Sequence, residues 1–441
     1  MCGISGIVAK ELLSSHDNSM SKMLEIMNHR GPDFRKKIRL NDNVIFGHNR
    51  LAIIDLNSNA NQPFFSNDDN FCIIFNGEIY NYLELRKMLK GKYDFKTNSD
   101  TEVLLAAYIN WGLKTFNKLI GMFSFAIYDI RKEELIICRD RYGVKPLYYT
   151  MNEKENSFMF ASEIKALHSA GVEKESDEKM WSNYLCYGRY QYENHTFWKY
   201  ISFLKPGHYA IININNSTKM MTTRKWYDFE RNILNNLNSS YFRNKSEESH
   251  LNEYKNLLFE SIKFRFRSDV NVGFNLSGGV DSSILYSIVR DLFHKKNVEA
   301  FTFYCNNEKY DEIEWVNLLT NSTNHILLES KEVPYLANKL SYYQDEPFGG
   351  IPTIAYSKTF KEARNKNIIV LLDGQGMDEA WAGYDYYLKN TTRVIQGTKS
   401  NPIKKNALNR DFLNISDPEI YPEPFEDDLL NKQYRDLFYT K

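Results

Sequence analysis

Short apolar blocks separated by polar turns fill the chain through about residue 210. Runs of strand length, such as GISGIVA, NFCIIFNG, MFSFAIYD and ELIICRD, alternate with turns. Two stretches between them, YLELRKMLK and TEVLLAAYINWG, have apolar residues at helical spacing. For residues 2–210 the pattern predicts one domain of stacked sheets with helices on the outside.

The pattern changes after a polar stretch at residues 211–248, which includes ERNILNNLNSSYFRNKSEE. Its Asn and Ser content and its few core-forming residues indicate a linker. From residue 249 onward, the strand-like runs VNVGFNL, EAFTFY and NIIVLLD alternate with helical segments. This alternation predicts a second domain, residues 249–441, with a parallel sheet covered on both faces. Ligands of such sheets bind beyond the carboxyl ends of strands, here after Leu276, Tyr304 and Leu372.

Composition and charge exclude several functional classes. Lys plus Arg equals Asp plus Glu at 56 each, so no global basic field indicates nucleic acid or an anionic membrane as a partner. No apolar run is long enough to span a bilayer, and the start lacks the order of a secretion signal, so we expect a cytoplasmic protein. The five cysteines are odd in number and have no paired spacing, which argues against a disulfide framework or a zinc site.

Cys2 is the first candidate for chemistry, because it directly follows Met1. Removal of Met1 would expose a thiol and a free α-amino group on the same residue. A thiol is a weak nucleophile until a base takes its proton, and an N-terminal amine titrates close enough to neutral pH to do so.

A second candidate site is the loop between the strand VNVGFNL and the next helical segment. Its two glycines allow backbone N–H groups to face an anion, and the following helix presents its positive end to the same point. Phosphate or pyrophosphate is the natural occupant, with serine hydroxyls as additional donors. The GxxxxGK[ST] spacing of a Walker loop is absent. The loop consists of Ser277, Gly278, Gly279, Val280, Asp281, Ser282 and Ser283.

These motifs together resemble a known family. SGGVDSS is similar to the pyrophosphate loop of ATP pyrophosphatases, and the preceding RFRSDVNVGFNL resembles the lead-in of glutamine-dependent asparagine synthetases. The resemblance covers nearly the whole chain. The first half carries it in MCGISGI, HRGPD (29–33), GHNRLAIIDL (47–56), FNGEIYNY (75–82), SDTE (99–102) and RDRYGVKPLYY (139–149), and the second half in YDE (310–312), DEPF (345–348), IPT (351–353) and DGQGMDEAWAGY (373–384).

The resemblance implies the fold and the glutamine site. The first domain would be a four-layer αββα glutaminase sandwich of the N-terminal-nucleophile hydrolase type, and the second a doubly wound parallel sheet of the ATP-pyrophosphatase type. Taken singly, the implied site residues have plainer roles: Arg50 as a surface charge, Asn76-Gly77 as a hairpin turn and Asp100 as a helix N-cap. In the family pattern, Cys2 attacks the glutamine amide, Asn76 and Gly77 stabilise the oxyanion, Arg50 binds the α-carboxylate, and Glu78 and Asp100 receive the α-ammonium.

The resemblance also implies an ATP-dependent second step. ATP would adenylate a carboxylate, pyrophosphate would leave, and ammonia from the first domain would attack the acyl-adenylate. Asp281 and Asp378 are the expected magnesium ligands. The expected substrates are glutamine, ATP and aspartate, and a homodimer is possible. The expected ATP-binding residues are Leu276, Ser277, Gly278, Gly279, Asp281, Ser282, Ser283 and Gly374.

Two departures from the family pattern leave alternatives open. Where asparagine synthetases usually have SGEG, this chain has Asp373-Gly374-Gln375-Gly376, and a glutamine cannot take a proton as a carboxylate can. The chain also ends at QYRDLFYTK, before a basic segment expected from the family, so we expect a C-terminally truncated member. The alternatives are an amidotransferase for another carboxylate, such as a sugar acid, and a member that retains only glutaminase activity or glutamine or nucleotide binding.

Overall fold

The computed structural model describes residues 1–381, apart from 153–156, 188–189, 191–192, 214–219, 293–297, 309 and 321, together with residues 414–415. The strands of its first half carry most of the core. They are β1 (Gly3–Ala9), β2 (Phe34–Arg39), β3 (Val44–Arg50), β4 (Phe64–Phe65), β5 (Phe71–Ile79), β6 (Gly121–Asp129), β7 (Glu134–Arg139), β8 (Tyr148–Asn152), β9 (Ser157–Ala161), β10 (Ser202–Phe203), β11 (His208–Ile212) and β12 (Met221–Lys225).

These strands form two antiparallel sheets that pack face to face. One sheet has the order β10-β8-β9-β1-β3-β2 and the other the order β12-β11-β7-β6-β5-β4. Residues such as Ile4 and Phe46 of the first sheet meet Ile74 and Ile137 of the second in one buried cluster. Strand β5 is buried on both faces, which explains why its first five residues, FCIIF, form a continuous apolar run rather than an alternating one.

Helices cover the outer face of each sheet. The helices α1 (Ser14–Ile26), α2 (Tyr82–Met88), α3 (Asp100–Trp111), α4 (Ile164–Ser169) and α5 (Glu178–Tyr187) lie in this half. Helices α1 and α4 pack on the first sheet through Met20 and Leu167, and α3 packs on the second through Val103 and Leu104. The predicted four-layer αββα sandwich is confirmed.

The sandwich extends beyond the boundary predicted at residue 210. Strand β11 continues to Ile212, and β12 pairs with it along Met221–Lys225, inside the stretch interpreted as a linker. Strand β12 is an edge strand in which only Met221 is buried, so its composition is that of an exposed segment. The rest of the polar stretch contains the helices α6 (Phe229–Leu237) and α7 (Ser240–Arg243).

The second half contains a parallel sheet with helices on both faces, as predicted. Its strand order is β15-β14-β13-β16, with every neighbouring pair parallel. The chain moves outward from β13 to β15 and returns to place β16 on the other side of β13, which creates a topological switch point beside β13. The elements are α8 (Glu247–Arg265), β13 (Val272–Asn275), α9 (Val280–Leu292), β14 (Ala300–Tyr304), α10 (Ile313–Leu319), β15 (Thr323–Leu327), α11 (Val333–Gln344), α12 (Ile351–Asn365), β16 (Val370–Leu372) and α13 (Met377–Trp381).

The capping residue Ser246 determines where helix α8 begins. The Ser246 hydroxyl accepts a hydrogen bond from the Ser249 amide, so the helix begins at Glu247, two residues before the predicted domain start. The predicted C-terminal truncation concerns residues outside the described part of the chain. Among the residues that are described, no helix combines the length and apolar character needed to cross a membrane.

Candidate functional site

Cys2 lies just before β1 and lines a cavity. Its Sγ accepts a hydrogen bond from the Leu51 amide at 3.4 Å, and its carbonyl accepts one from Arg30 Nε at 2.9 Å. Burial raises the pKa of the Cys2 thiol, so a base has to remove its proton before it can attack. The amino group of Met1 borders the same cavity, and burial lowers its pKa to about 5. An amine at this position is therefore neutral at pH 7, and it is a weaker base than an exposed N-terminal amine.

Asn76 and Gly77 lie within β5 rather than in a hairpin turn. The Asn76 side chain is fully buried, and neither its Nδ2 nor its Oδ1 has a hydrogen-bond partner among the described residues. Gly77 allows close backbone approach, because a Cβ there would lie 2.2 Å from the Met122 carbonyl oxygen. Buried amides are nearly always hydrogen-bonded. An unpaired amide in the cavity that Cys2 lines is therefore able to donate a hydrogen bond to a bound ligand.

Arg50 ends β3 and is buried, with 5% of its surface exposed, so the interpretation as a surface charge does not hold. Its guanidinium donates to the carbonyl oxygens of Asn57, at 2.9 Å, and of Asp55, and to the side-chain oxygen of Asn61 at 2.7 Å. The loop at residues 55–61 therefore fixes the direction of the guanidinium, which faces the same cavity as Cys2. A fork oriented in this way suits a carboxylate.

Glu78 and Asp100 also line the cavity, close enough for the charge of Asp100 to act on Glu78. Burial, together with the charge of Asp100, raises the pKa of Glu78 to about 7, and burial raises that of Asp100 to about 6. Asp100 is the first residue of α3, but the N-cap is Ser99, whose hydroxyl accepts from the Thr101 amide. The Asp100 carboxylate instead accepts from the Ile79 amide at 2.9 Å. Two buried carboxylates that resist ionisation together are suited to an ammonium ligand.

The cavity that joins these residues extends into the second domain. It has a volume of about 390 Å³, and its walls include the buried Lys145 as well as all six predicted glutamine-site residues. Five apolar residues of the second domain also line it: Phe360, Ile368, Ile369, Val370 and Leu371. Their side chains offer no hydrogen bonds, so this part of the cavity wall is apolar.

The predicted phosphate loop lies at the switch point after β13. Gly278 has a φ of +94°, and a Cβ there would lie 2.8 Å from the Glu312 carbonyl, so the turn requires glycine. The Ser277 and Ser282 hydroxyls are 3.0 Å apart, and the Gly279 amide donates to Ser277 Oγ at 3.2 Å. Ser283 Oγ donates to the Gly279 carbonyl at 2.7 Å. Leu276 is fully buried and holds the loop to β14 through its amide.

Two acidic residues meet beside this loop. The Asp281 side chain is within hydrogen-bonding reach of Asp378, and burial together with this neighbouring carboxylate raises the pKa of Asp281. Gly374 packs against them, since a Cβ there would lie 3.2 Å from the Cβ of Asp281. No cluster of three potential metal ligands occurs in the described part of the chain. A pair of carboxylates still fits Mg²⁺, which commonly takes one or two carboxylates and completes its shell with phosphate oxygens and water.

Sequence reasoning did not assign several residues that line these sites. Lys145 lines the Cys2 cavity, and Arg30 hydrogen-bonds the Cys2 carbonyl. Both lie within quoted motifs, HRGPD and RDRYGVKPLYY, and Glu312 lies within YDE. Glu312 and Tyr356 line the cleft that borders the Ser277–Ser283 loop (the nucleotide cleft), and nothing in the sequence distinguishes Tyr356. The unusual Gln375 also lines this cleft.

Comparisons with known proteins agree with this geometry. A family described as "Glutamine amidotransferase domain" matches residues 1–227, and one described as "Asparagine synthase" matches residues 253–434. The first match ends just after β12, where the second sheet of the sandwich ends.

Curated relatives match both halves. The chain is 32% identical over 413 residues to the glutamine-hydrolyzing asparagine synthetase 1 of Bacillus subtilis, covering 90% of this chain and 62% of that protein. A Methanocaldococcus jannaschii protein, provisionally named glutamine-hydrolyzing asparagine synthetase 2, is 33% identical, and the match covers 98% of this chain and 86% of that protein. Amidase chyE of Penicillium rubens is 29% identical, covering 88% and 60%. The chain spans less than two thirds of the length of two of these relatives. The two family matches and the relatives that share both halves show that it belongs to the glutamine-hydrolysing asparagine synthetase family.

Proposed function

We propose that this chain hydrolyses glutamine at Cys2 and uses the released ammonia, together with ATP, to convert aspartate to asparagine. One observation carries the proposal. The segment at Ile368–Leu371 lines the Cys2 cavity, and Asp373–Gly376, which begin after one intervening residue, line the nucleotide cleft. Because a strand rises only about 3.3 Å per residue, strand β16 brings the two sites within a few residues of each other.

In the first domain, removal of Met1 would give Cys2 its own α-amine as the base. The Cys2 sulfur would attack the side-chain amide of glutamine, while the Asn76 amide and the Gly77 N–H would receive the oxyanion. Arg50 would bind the α-carboxylate, and Glu78 and Asp100 the α-ammonium. The raised pKa values of the two carboxyl groups support this assignment, because a bound ammonium would relieve their mutual repulsion.

In the second domain, the loop at Ser277–Ser283 would hold the phosphates of ATP. The acceptor carboxylate would displace pyrophosphate to give an acyl-adenylate, which ammonia would then convert to the amide. Mg²⁺ at Asp281 and Asp378 would offset the charge of the phosphates. The acidic pair, the glycine turn at Gly278 and the position of the loop at the switch point support an adenylation site.

A second candidate is the amidation of another carboxylic acid, such as a sugar acid. The observation that favours it is Gln375, an exposed amide in the nucleotide cleft where the family pattern has a carboxylate. A neutral side chain there cannot act as a base or attract an ammonium, so the acceptor requirements of this site differ from those of the usual family pattern.

The test uses the purified protein with its N-terminus verified by mass spectrometry. It is incubated with glutamine, Mg-ATP and either aspartate or a uronic acid, and glutamate, pyrophosphate and amide product are followed together. We expect asparagine in step with pyrophosphate, lost in Cys2→Ala and restored by added ammonia. Pyrophosphate and amide only with the uronic acid would favour the second candidate. Glutamate without pyrophosphate would overturn the ATP-dependent step.

A further inference from the structure

A buried network of charged residues runs from Cys2 to the second domain, apart from the glutamine cavity. It begins at Arg30, which donates through Nε to the Cys2 carbonyl and through a terminal nitrogen to Glu163 Oε1 at 3.0 Å. The other carboxylate oxygen of Glu163 accepts from Lys165 Nζ at 2.8 Å. Lys165 Nζ also donates to Asp345 Oδ2, at 3.1 Å, in the second domain.

The network is nearly closed to solvent. Exposed side-chain fractions are 8% for Arg30 and Glu163, 7% for Lys165 and 12% for Asp345. Although burial opposes ionisation of Glu163, hydrogen bonds from His29 and the charges of Arg30 and Lys165 hold its pKa at about 2. Burial raises the pKa of Asp345, and the Lys165 ammonium opposes this effect. The network therefore holds two cations against two carboxylates, and each member depends on the next.

Asp345 connects the network to a loop of the second domain. It follows α11 with a left-handed φ of 64°, and its carboxylate accepts a second bond, from the Lys165 amide, at 3.0 Å. Its carbonyl accepts from Trp198 Nε1 at 2.9 Å. The loop at residues 345–350 then leads into α12, which carries the cleft residue Tyr356. Both ends of the loop are therefore tied, one to the first domain and the other to the nucleotide cleft.

We propose that Glu163, Lys165 and Asp345 are positioning residues that link the state of Cys2 to the loop at residues 345–350. The physical reason is that a buried polar network cannot lose one contact without leaving a charge unsatisfied. When Cys2 is displaced, the side chains of the network therefore shift together and keep their contacts, and the shift reaches Asp345. Arg30 supports this, because one of its terminal nitrogens is buried without a hydrogen-bond partner in the described structure and is free to form a new contact when the site is occupied. The inference rests on the proposed function, since it takes Cys2 as the reacting residue.

The first test measures amide hydrogen exchange of residues 343–351 before and after Cys2 is alkylated with chloroacetamide, which requires no glutamine site. Peptide mass spectrometry verifies that Cys2 carries the adduct. We expect exchange of this segment to change at least threefold in the wild-type protein and to stay unchanged in Lys165→Met. Unchanged exchange in the alkylated wild-type protein overturns the proposal.

A matched control tests whether any loss of a lysine has the same effect. Lys358 pairs with Glu332 at 2.6 Å entirely within the second domain, so Lys358→Met should keep the wild-type response. Asp345→Asn is a second variant that preserves shape and tolerates the left-handed backbone, which guards against misfolding of Lys165→Met. A full response in Asp345→Asn and Lys165→Met, equal to that of Lys358→Met, also overturns the proposal.

Kinetics separate positioning from a merely structural role. In Lys165→Met, we expect kcat for glutamine hydrolysis to fall by about tenfold to a hundredfold from misplaced Cys2, with KM unchanged, since the residues that would bind glutamine lie outside the network. Lys165→Arg should restore most of kcat. A raised KM with unchanged kcat contradicts the proposal. If the wild-type protein forms no glutamate at all, the proposed function fails, while the exchange experiment still decides the link.

Discussion

Replacing Asn76 with leucine should separate activity from stability. The Asn76 side chain is fully buried, and both of its polar atoms lack hydrogen-bond partners among the described residues. Leucine has nearly the same shape and no polar atoms. The change therefore removes the proposed oxyanion donor. The same amide makes no hydrogen bond to the described residues in the substrate-free protein, so its removal breaks none of these bonds.

The two effects can be estimated separately. Loss of one oxyanion donor costs about 2.7–4 kcal/mol in the transition state, so kcat for glutamine hydrolysis should fall about 10²- to 10³-fold. KM should change little, because the donor acts on charge that develops only during reaction. A buried polar group without partners costs about 1–3 kcal/mol, so the leucine variant should unfold at the wild-type temperature or a few degrees higher.

The assay compares Asn76→Leu with Gln62→Leu, a buried amide in the same cavity whose partners are in place. Gln62 Nε2 donates to Thr101 Oγ1 at 3.1 Å, and its Oε1 accepts from the Phe75 amide at 2.6 Å. Its loss should lower the melting temperature by several degrees, because two buried groups lose partners. The reasoning is refuted if Asn76→Leu destabilises the protein as much as Gln62→Leu while kcat stays within tenfold of the wild-type value.

Four further predictions concern the charged and glycine positions. Because an ammonium ligand needs ionised carboxylates, KM for glutamine should rise as pH falls below about 7, the raised pKa of Glu78, and should rise further below about 6, the raised pKa of Asp100. Initial rates measured over a pH series should show a smaller rise of KM in Glu78→Gln than in the wild-type protein, and an identical rise would contradict the assignment. The same raised pKa means that ionised Glu78 costs stability, so Glu78→Gln should gain melting temperature relative to wild type as pH rises from 4.5, the ordinary pKa, to about 7, and the gain should level off above that pH. Gly278→Ala places a Cβ 2.8 Å from the Glu312 carbonyl oxygen at a positive φ, so the rate of ATP-dependent pyrophosphate release should drop at least tenfold. Glutaminase activity should stay at the wild-type level, and an equal loss of both activities would point to misfolding instead. Asp281→Asn should raise the Mg²⁺ concentration for half-maximal pyrophosphate release at least tenfold, and an unchanged requirement would exclude Asp281 as a ligand.

Much of the fold was predictable because local chemistry determines it. The apolar run of β5 and the glycine turn at Gly278 follow from burial on both faces and from a backbone that only glycine adopts easily. Strand β12 was missed because an edge strand with one buried residue has the composition of a linker.

The candidate site was predictable only in part. Short motifs identified Arg50 and Glu78, but the spacing of these motifs along the chain does not reveal that a segment of the second domain completes the cavity. The contact between Lys165 and Asp345 joins residues 180 positions apart, and no local pattern predicts it. Such contacts arise from how the domains pack, which the sequence expresses only through the whole fold.

The most direct test of the account asks whether the two sites act together. The protein is supplied with glutamine labelled with ¹⁵N in the side-chain amide, Mg-ATP, aspartate and an excess of unlabelled ammonium, and the amide product is analysed by mass spectrometry. If ammonia passes from Cys2 along the cavity lined by residues 368–371, most of the product carries ¹⁵N and forms in step with pyrophosphate. Product whose amide matches the unlabelled pool would contradict the account, because ammonia would then reach the second site from solvent.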